Sequence, residues 1–528
     1  MKKNVLFSAL TCTLLLGMME GGARLVEGSF NRPGDVAKRD AGWQAALFSA
    51  FGGYQESDAE LLWRFRANLD DPLIRTNAAH LLGPLPSTPK EPKTFRILLL
   101  GDSSPVGIGL AKREEGFGEV LASLLSAREL GSLARVELVN AAVSGYSSEQ
   151  VRALLASKGW GFEPDLILVY CGNNDASISG AVTDRELIGA QRLQKLRSAL
   201  DNLALYRQLS NLLRGQRSGR DAATDRLVAR VTAAQYGENL ADIAAQAEHR
   251  GVPIIILKPP VPLLWPAGIQ FKAHQHIAGQ VGEPVFPARM LAILGRNIKY
   301  CVDTRRLISL YGKQWGYYTK WVYRFMHEDN LSPQDAIAHY TKELDLHPED
   351  PVLLNDLGVS YWEASNNVEA DRWLRRAYAQ FVSQHREMRD DGVLAASSPF
   401  LYNIGINHLK IENDRQGLVY RPESDGWRML DEALQADYFS LRIKRSYLAE
   451  VDKIKQSKLV SIVDLPSVFR ASGGETLFID HCHPTVRGHK IIAEQIMMVI
   501  DAKGYMNRAG IRSALLPRAA GSVGEGRI

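Results

Sequence analysis

Cysteine is scarce, with four residues in a chain of 528. That is too few for a disulfide-dense scaffold, and Cys12 falls in a leader-like segment. An excess of charge of either sign is also missing. Lys+Arg 63 against Asp+Glu 59 leaves a formal +4, too balanced for a protein built around phosphate backbones. No nucleic-acid partner is expected, and the short basic loop 214–220 reads as a solvated turn. Long apolar runs are absent beyond residue 19, and the mean hydropathy of −0.16 excludes a polytopic membrane protein. Hydrophobic residues at 45% and charged residues at 23% exclude collagen-like and wholly disordered classes. At roughly 150 residues per domain, the length suggests about two to four domains.

The chain starts with Lys2 and Lys3, a largely apolar run over 5–19, and then Glu20-Gly-Gly-Ala-Arg24. A basic start, a short apolar core and small residues form an export-signal pattern, with cleavage after Ala23. The run falls short of the ~20 residues of a comfortable membrane-spanning helix. The small-residue site is imperfect, so residues 1–23 read either as a signal peptide or as an uncleaved signal anchor. A buried N-terminal helix is the plainer alternative, and the run lacks the charged face that amphipathicity would demand. Both export readings put the body outside the cytoplasm, periplasmic or extracellular, with membrane contact only if the anchor is retained.

A lead-in segment, 28–93, ends in the turn-rich Gly83-Pro-Leu-Pro-Ser-Thr-Pro-Lys-Glu-Pro92, which reads as a linker. Near-continuous apolar runs follow at 95–100, 136–140, 165–170 and 252–258, the pattern of parallel strands buried on both faces. Helical stretches at 116–129, 148–158, 185–213 and 232–249 separate them. The alternation predicts an α/β fold, a parallel sheet flanked by helices. It breaks after residue 262 for nearly 200 residues, far beyond an ordinary connection. A connecting segment over 263–330 leads to a helical insertion over 331–439. Pro351, Leu357-Gly358, Tyr361, Ala370, Leu374 and Ala377 resemble the landmarks of the ~34-residue tetratricopeptide repeat. One repeat length earlier, Ala336 and Tyr340 align with Ala370 and Leu374, and a degenerate third copy runs from Phe400 through Gly405 to Ala433. An unrelated helical hairpin is the plainer alternative. Two clear repeats are too few to stand alone and are expected to pack on the sheet domain. The strand–helix pattern resumes over 440–502, with a helix at 441–454, a strand at 459–463 and a final helix at 484–500. The tail 508–528 is expected to be disordered.

Three polar clusters stand just past predicted strands, where open α/β sheets place their ligands. They are Gly101-Asp-Ser-Ser-Pro-Val-Gly107, Asn140-Ala-Ala-Val-Ser-Gly-Tyr146 and Gly172-Asn-Asn-Asp175. A fourth, Asp480-His-Cys-His-Pro484, precedes the final helix. Together they supply an acyl-transfer set. Ser103 is the candidate nucleophile, His483 the base, and Asp480 the group that orients the imidazole. The Gly145 N–H, the Asn174 side-chain amide and the Ser103 N–H are candidate oxyanion donors. Ser103 alone would read as a helix cap. Asp175 reads as a turn former, Ser104 as packing or hydrogen bonding behind the nucleophile, and His489 as a surface or helix-face residue. Asp480, His481, Cys482 and His483 also suggest a metal, but ligands crowded into one turn without a distant partner cluster argue against it. No cofactor or metal is called for. Cys171 and Cys482 flank the site and read as free thiols more readily than as a pair.

The four blocks, in this order, resemble those of the SGNH (GDSL) serine hydrolases. Ser103, Gly145 and Asn174 match the family's serine, glycine and asparagine, and Asp480 with His483 its Asp-x-x-His block. Leu73-Ile-Arg-Thr-Asn77 is similar to the lead-in of exported members. The resemblance covers about 94–262 and 440–502 and implies a flavodoxin-like sheet, which the helical region interrupts. It also implies an esterase acting on an O-acetylated glycan or a lipid. Acetyl transfer by the same residues is the runner-up. A different class of function is a scaffold binding a protein partner through the repeats, with a vestigial hydrolase core.

Overall fold

A computed structural model describes residues 54–71, 74–180, 182–190, 228–265, 298–301, 331–386, 391–416, 420–437 and 440–507. The expected export segment, the basic loop, most of the connecting segment and the tail lie outside these residues. No helix among the described residues is long and apolar enough to cross a membrane.

Strands β1 (Gln55–Asp58) and β2 (Leu62–Phe65) pair as an antiparallel hairpin. The chain then enters β3 (Thr94–Gly101), whose eight residues are all buried, as a central strand with both faces covered must be. A four-residue helix α1 (Ser103–Val106), helix α2 (Phe117–Ser126), β4 (Arg135–Asn140), α3 (Ser148–Ser157) and β5 (Leu166–Tyr170) follow. Next come the short antiparallel pair β6 (Ile178–Gly180) and β7 (Val228–Ala229), then α4 (Ala233–His249) and β8 (Ile254–Leu257). The helical insertion holds α5 (Pro333–Leu346), α6 (Pro351–Glu363), α7 (Asn367–Gln384), α8 (Asp391–Gln416) and α9 (Asp425–Ala436). After it come α10 (Arg445–Asp452), β9 (Val460–Val463), α11 (Leu465–Ser472) and α12 (Val486–Lys503).

Five strands form one sheet in the order β4-β3-β5-β8-β9, every neighbouring pair parallel. This is the flavodoxin-like arrangement, with the insertion lying between the fourth and fifth strands in sequence. The order reverses around β3, so a crevice opens at the carboxyl ends of β3, β4 and β5.

One core packs α2, α11 and α12 against the sheet. Tyr402, Leu409, Trp427, Leu430 and Leu434 of the insertion belong to the same cluster. The other core packs α3, α4 and α10 on the opposite face. It also takes Leu61, Leu62, Trp63, Phe65, Ile74, Leu81 and Leu82 from the lead-in. The stretch read as a linker is therefore tied down. Wholly buried Arg96 donates to the Ser87 carbonyl at 2.7 Å, and Lys90 pairs with Asp165 at 2.7 Å. Turn-rich composition reported the bends correctly. It carried no sign of anchors that are distant in sequence.

Candidate active site

The buried run of β3 stops at Gly101, and Asp102 caps the next turn by accepting the Ser104 N–H at 3.0 Å. The cap is thus Asp102, and Ser103 is the first helical residue, part-buried at the crevice. Its hydroxyl is left for other contacts. Far down the chain, Ile479 N–H donates to the His483 carbonyl at 2.8 Å and Thr485 N–H to the Leu477 carbonyl at 2.8 Å, closing a tight loop. Asp480 Oδ1 accepts both the Cys482 and His483 N–H groups at 2.9 Å, an Asx-type turn. That turn leaves Oδ2 facing the His483 ring, with Nδ1 at 2.7 Å. The other ring nitrogen, Nε2, lies 2.7 Å from Ser103 Oγ. Serine, imidazole and carboxylate are therefore joined in one line of hydrogen bonds.

The second cluster forms a loop after β4. Gly145 adopts φ +82°, where a side chain would be strained. Asn174, in the turn after β5, donates Nδ2–H to the Tyr146 carbonyl at 3.1 Å, which ties the second and third clusters together. An amide nitrogen carries two hydrogens, so one remains for a ligand.

Residues 97–274 match the family model described as GDSL-like Lipase/Acylhydrolase. This stretch is a GDSL-like lipase/acylhydrolase domain. As such the protein is an ester-bond hydrolase. The match includes Ser103, Gly145 and Asn174 and stops short of Asp480 and His483, which the fold returns to Ser103 from beyond the insertion. No curated protein matches the chain. Similar solved structures include TesA, 18% identical with a TM-score of 0.20, covering 40% of this chain and 86% of that one. The lipase/acylhydrolase from Enterococcus faecalis is 18% identical with a TM-score of 0.19, covering 39% and 83%. A catalytic mutant of Axe2, an acetylxylan esterase from Geobacillus stearothermophilus, is 14% identical with a TM-score of 0.20, covering 35% and 70%.

Electrostatics around Ser103 are set by burial and by one ion pair. Burial works against a charged Asp480, but His483, His481 and the hydrogen bonds outweigh it and hold the carboxyl well below its ordinary range. Burial likewise opposes the His483 cation, and Asp480 overcomes it, lifting the imidazole well above 6.5. His481, against Trp265 with centroids 5.9 Å apart, is pushed down to about 4 by burial and stays neutral at pH 7. Burial raises the Cys482 thiol to about 11, so the Sγ that lies 3.8 Å from both His483 nitrogens is uncharged. Ligand atoms of Asp480, His481 and Cys482 lie within 4.8 Å of one another and are the residues that could hold a metal. The Asp480 carboxylate, however, is already engaged by His483. Cys171, Cys301 and Cys482 are free, buried thiols.

The remaining candidates have structural partners. Asp175 accepts the Ser148 N–H at 3.0 Å and its hydroxyl at 2.5 Å, holding the start of α3. Burial raises its carboxyl to about 7. Ser104 is buried behind Ser103. His489 is fully buried on α12 rather than on the surface, and its Nδ1 accepts the Phe117 N–H at 3.1 Å. Burial pushes it down to about 3, so it is no second base.

Sequence reasoning assigned no role to Asp102, whose carboxyl burial raises to about 7. It also missed Gln55, Trp63 and Arg230, which hold the Gly145 loop. Asp102 is visible in the Gly-Asp-Ser motif as a potential cap. The other three belong to no local pattern.

Proposed function

We propose that the protein is an exported serine esterase that cleaves an O-acetylated glycan or a lipid ester through an acyl-enzyme on Ser103. The observation that carries this reading is the pair of 2.7 Å hydrogen bonds joining Ser103, His483 and Asp480. With Nδ1–H donated to Asp480, Nε2 can accept the Ser103 proton as Oγ attacks the ester carbonyl. Negative charge then develops on the carbonyl oxygen. Gly145 N–H, the second Asn174 hydrogen and Ser103 N–H are the donors that would meet it, each typically worth ~10²–10³ in rate. His483 returns the proton to the leaving alcohol. Water, deprotonated by the same nitrogen, releases the acid and restores Ser103. In the same reading residues 1–23 direct export, and residues 331–439 offer a partner surface.

The test uses acetyl and longer-chain nitrophenyl esters with a fluorophosphonate probe. Wild-type protein should turn over and label. Ser103→Ala should lose labelling and at least ~10³-fold in kcat. Equal turnover by the variant would sink the mechanism. Chain-length preference separates an acetyl esterase from a lipase, and product analysis with a glycan acceptor detects transfer.

A further inference from the structure

The loop after β4 presents three consecutive carbonyls, and a side chain from elsewhere in the chain holds each one. Gln55 Nε2 and Trp63 Nε1 both donate to the Ser144 carbonyl, at 2.9 and 3.2 Å. Arg230 donates to the Gly145 carbonyl at 2.7 Å, and Asn174 to that of Tyr146 at 3.1 Å. The first contact is chemically the most pointed. Ser144 C=O and Gly145 N–H belong to one planar, trans peptide unit, so fixing the oxygen on one side fixes the direction of the N–H on the other. The ring of Trp63 also backs the glycine, since a Cβ on Gly145 would lie 3.4 Å from its Cζ2.

Trp63 is itself locked. Its carbonyl accepts the Tyr146 hydroxyl at 2.7 Å, its ring meets Tyr146 edge-on at 6.1 Å, and the Arg230 guanidinium lies 5.2 Å from the ring centroid. Gln55 is 1% exposed, yet its Oε1 has no hydrogen-bond partner among the described residues. A buried, half-satisfied amide is a poor choice for stability, and an apolar group of the same shape would serve as well or better. Its Nε2 contact is what it contributes.

We propose that Gln55 and Trp63, on a hairpin that precedes the GDSL domain in sequence, are positioning residues for the oxyanion site. They aim the Gly145 N–H by gripping the other end of its peptide unit. The proposal rests on the reading of Gly145 as an oxyanion donor. It makes the lead-in part of the catalytic apparatus rather than a tether. Preorganised donors act because they need not turn when charge appears, so a loosened peptide should cost transition-state binding and leave ground-state binding alone.

Two donors on one oxygen give a distinctive signature. In the full chain, Trp63→Phe keeps the ring and removes the donor, and Gln55→Met keeps the volume and removes the donor. Each single variant should lower kcat only ~3-fold, because the other grip persists. The double variant should lose ~30-fold or more, beyond the product of the singles, with KM within ~2-fold of wild type. Affinity for a phenylboronic acid, which mimics the tetrahedral adduct, should fall in parallel with kcat. The melting temperature of Gln55→Met should be unchanged or higher. Arg64→Gln, on the same hairpin, breaks the Arg64–Glu56 pair (2.8 Å) and should leave kcat alone. If the double variant does not fold, the Gln55→Met kcat and boronate affinity decide. Wild-type kcat and boronate affinity in folded donor variants overturn the proposal, as does an equal loss in Arg64→Gln. If Ser103→Ala and Asn174→Ala also keep full turnover, the proposed function fails with it. If those two lose turnover, only the grip is wrong.

Discussion

Asp102 holds one carboxylate oxygen against the Ser104 N–H and buries the other without a hydrogen-bond partner among the described residues. Burial raises this carboxyl to about 7, against an ordinary value of 3.8. Between those limits the folded chain keeps a proton that the unfolded chain has released. Stability supplied by the neutral acid is therefore fully present below about pH 4 and lost as pH rises through about 7. Asp102→Asn removes the titration. In urea denaturation its stability relative to wild type should grow between pH 4 and 7 and level off above, by on the order of 2–4 kcal/mol. A gap independent of pH would refute this. His483 carries the opposite charge logic. Its value is lifted by Asp480, and in the proposed mechanism only the neutral ring could take the Ser103 proton. The kcat/KM profile for an acetyl ester should rise with pH through that raised value, with its midpoint above 6.5. Asp480→Asn should move the midpoint down and lower the plateau by ~10²-fold or more. An unmoved midpoint would assign the titration to another group. At this scale the sequence was readable wherever chemistry is local: Asp480 and His483 share one turn, and Ser103 and Asn174 stand directly past strands. Gln55 and Trp63 were not, because their meaning lies in a carbonyl some 80–90 residues away, which no spacing encodes.

At the scale of elements, strands were legible because burial on both faces forces near-continuous apolar runs. All of β3, β5 and β8 is buried; β5 and β8 lie inside their expected stretches, and β3 extends one residue beyond its stretch at each end. The lead-in hairpin was not, since four-residue strands mixing Arg and Glu with Trp and Phe show no clean alternation. In the insertion, Gly358 marks where α6 crosses α7. A Cβ there would sit 2.8 Å from two Leu374 side-chain atoms and 3.0 Å from the Leu374 backbone nitrogen. Gly358→Ala gains up to ~1 kcal/mol of helix propensity, while overpacking against a backbone atom costs ~1–3 kcal/mol. The clash should win, so the variant should unfold at lower urea. A midpoint equal to or above that of wild type would show that the helices can separate freely.

The whole molecule is less divisible than its length suggests. Tyr402, Trp427 and Leu430 of the insertion share a cluster with Val463, Phe469 and Ile492 of the sheet domain. Tyr402 also donates to the Leu264 carbonyl at 2.7 Å, and buried Arg442 donates to the carbonyls of Pro262 and Trp265 at 3.1 and 3.0 Å. Joining residues 330 and 440 directly should leave this apolar face bare. The shortened protein should bind a hydrophobic dye and lose a single sharp urea transition; a cooperative, dye-free product would show the insertion to be a true appendage. Strand–helix rhythm on both sides of the insertion made one interrupted sheet readable. The shortness of the repeat array pointed to packing on the sheet domain, but neither feature could name the side chains of the shared core, because those from two stretches meet only in three dimensions.

The hydrogen bond between Ser103 and His483 spans 380 residues of chain. A growing polypeptide thus gains Ser103 before the insertion and His483 only after the insertion and β9 have been synthesised. A chain cut before Asp480 keeps Ser103 and lacks the imidazole and carboxylate that the proposed mechanism assigns to its activation. On the proposed mechanism, a partly synthesised copy is chemically silent toward esters until His483 has been added and folded back onto the sheet.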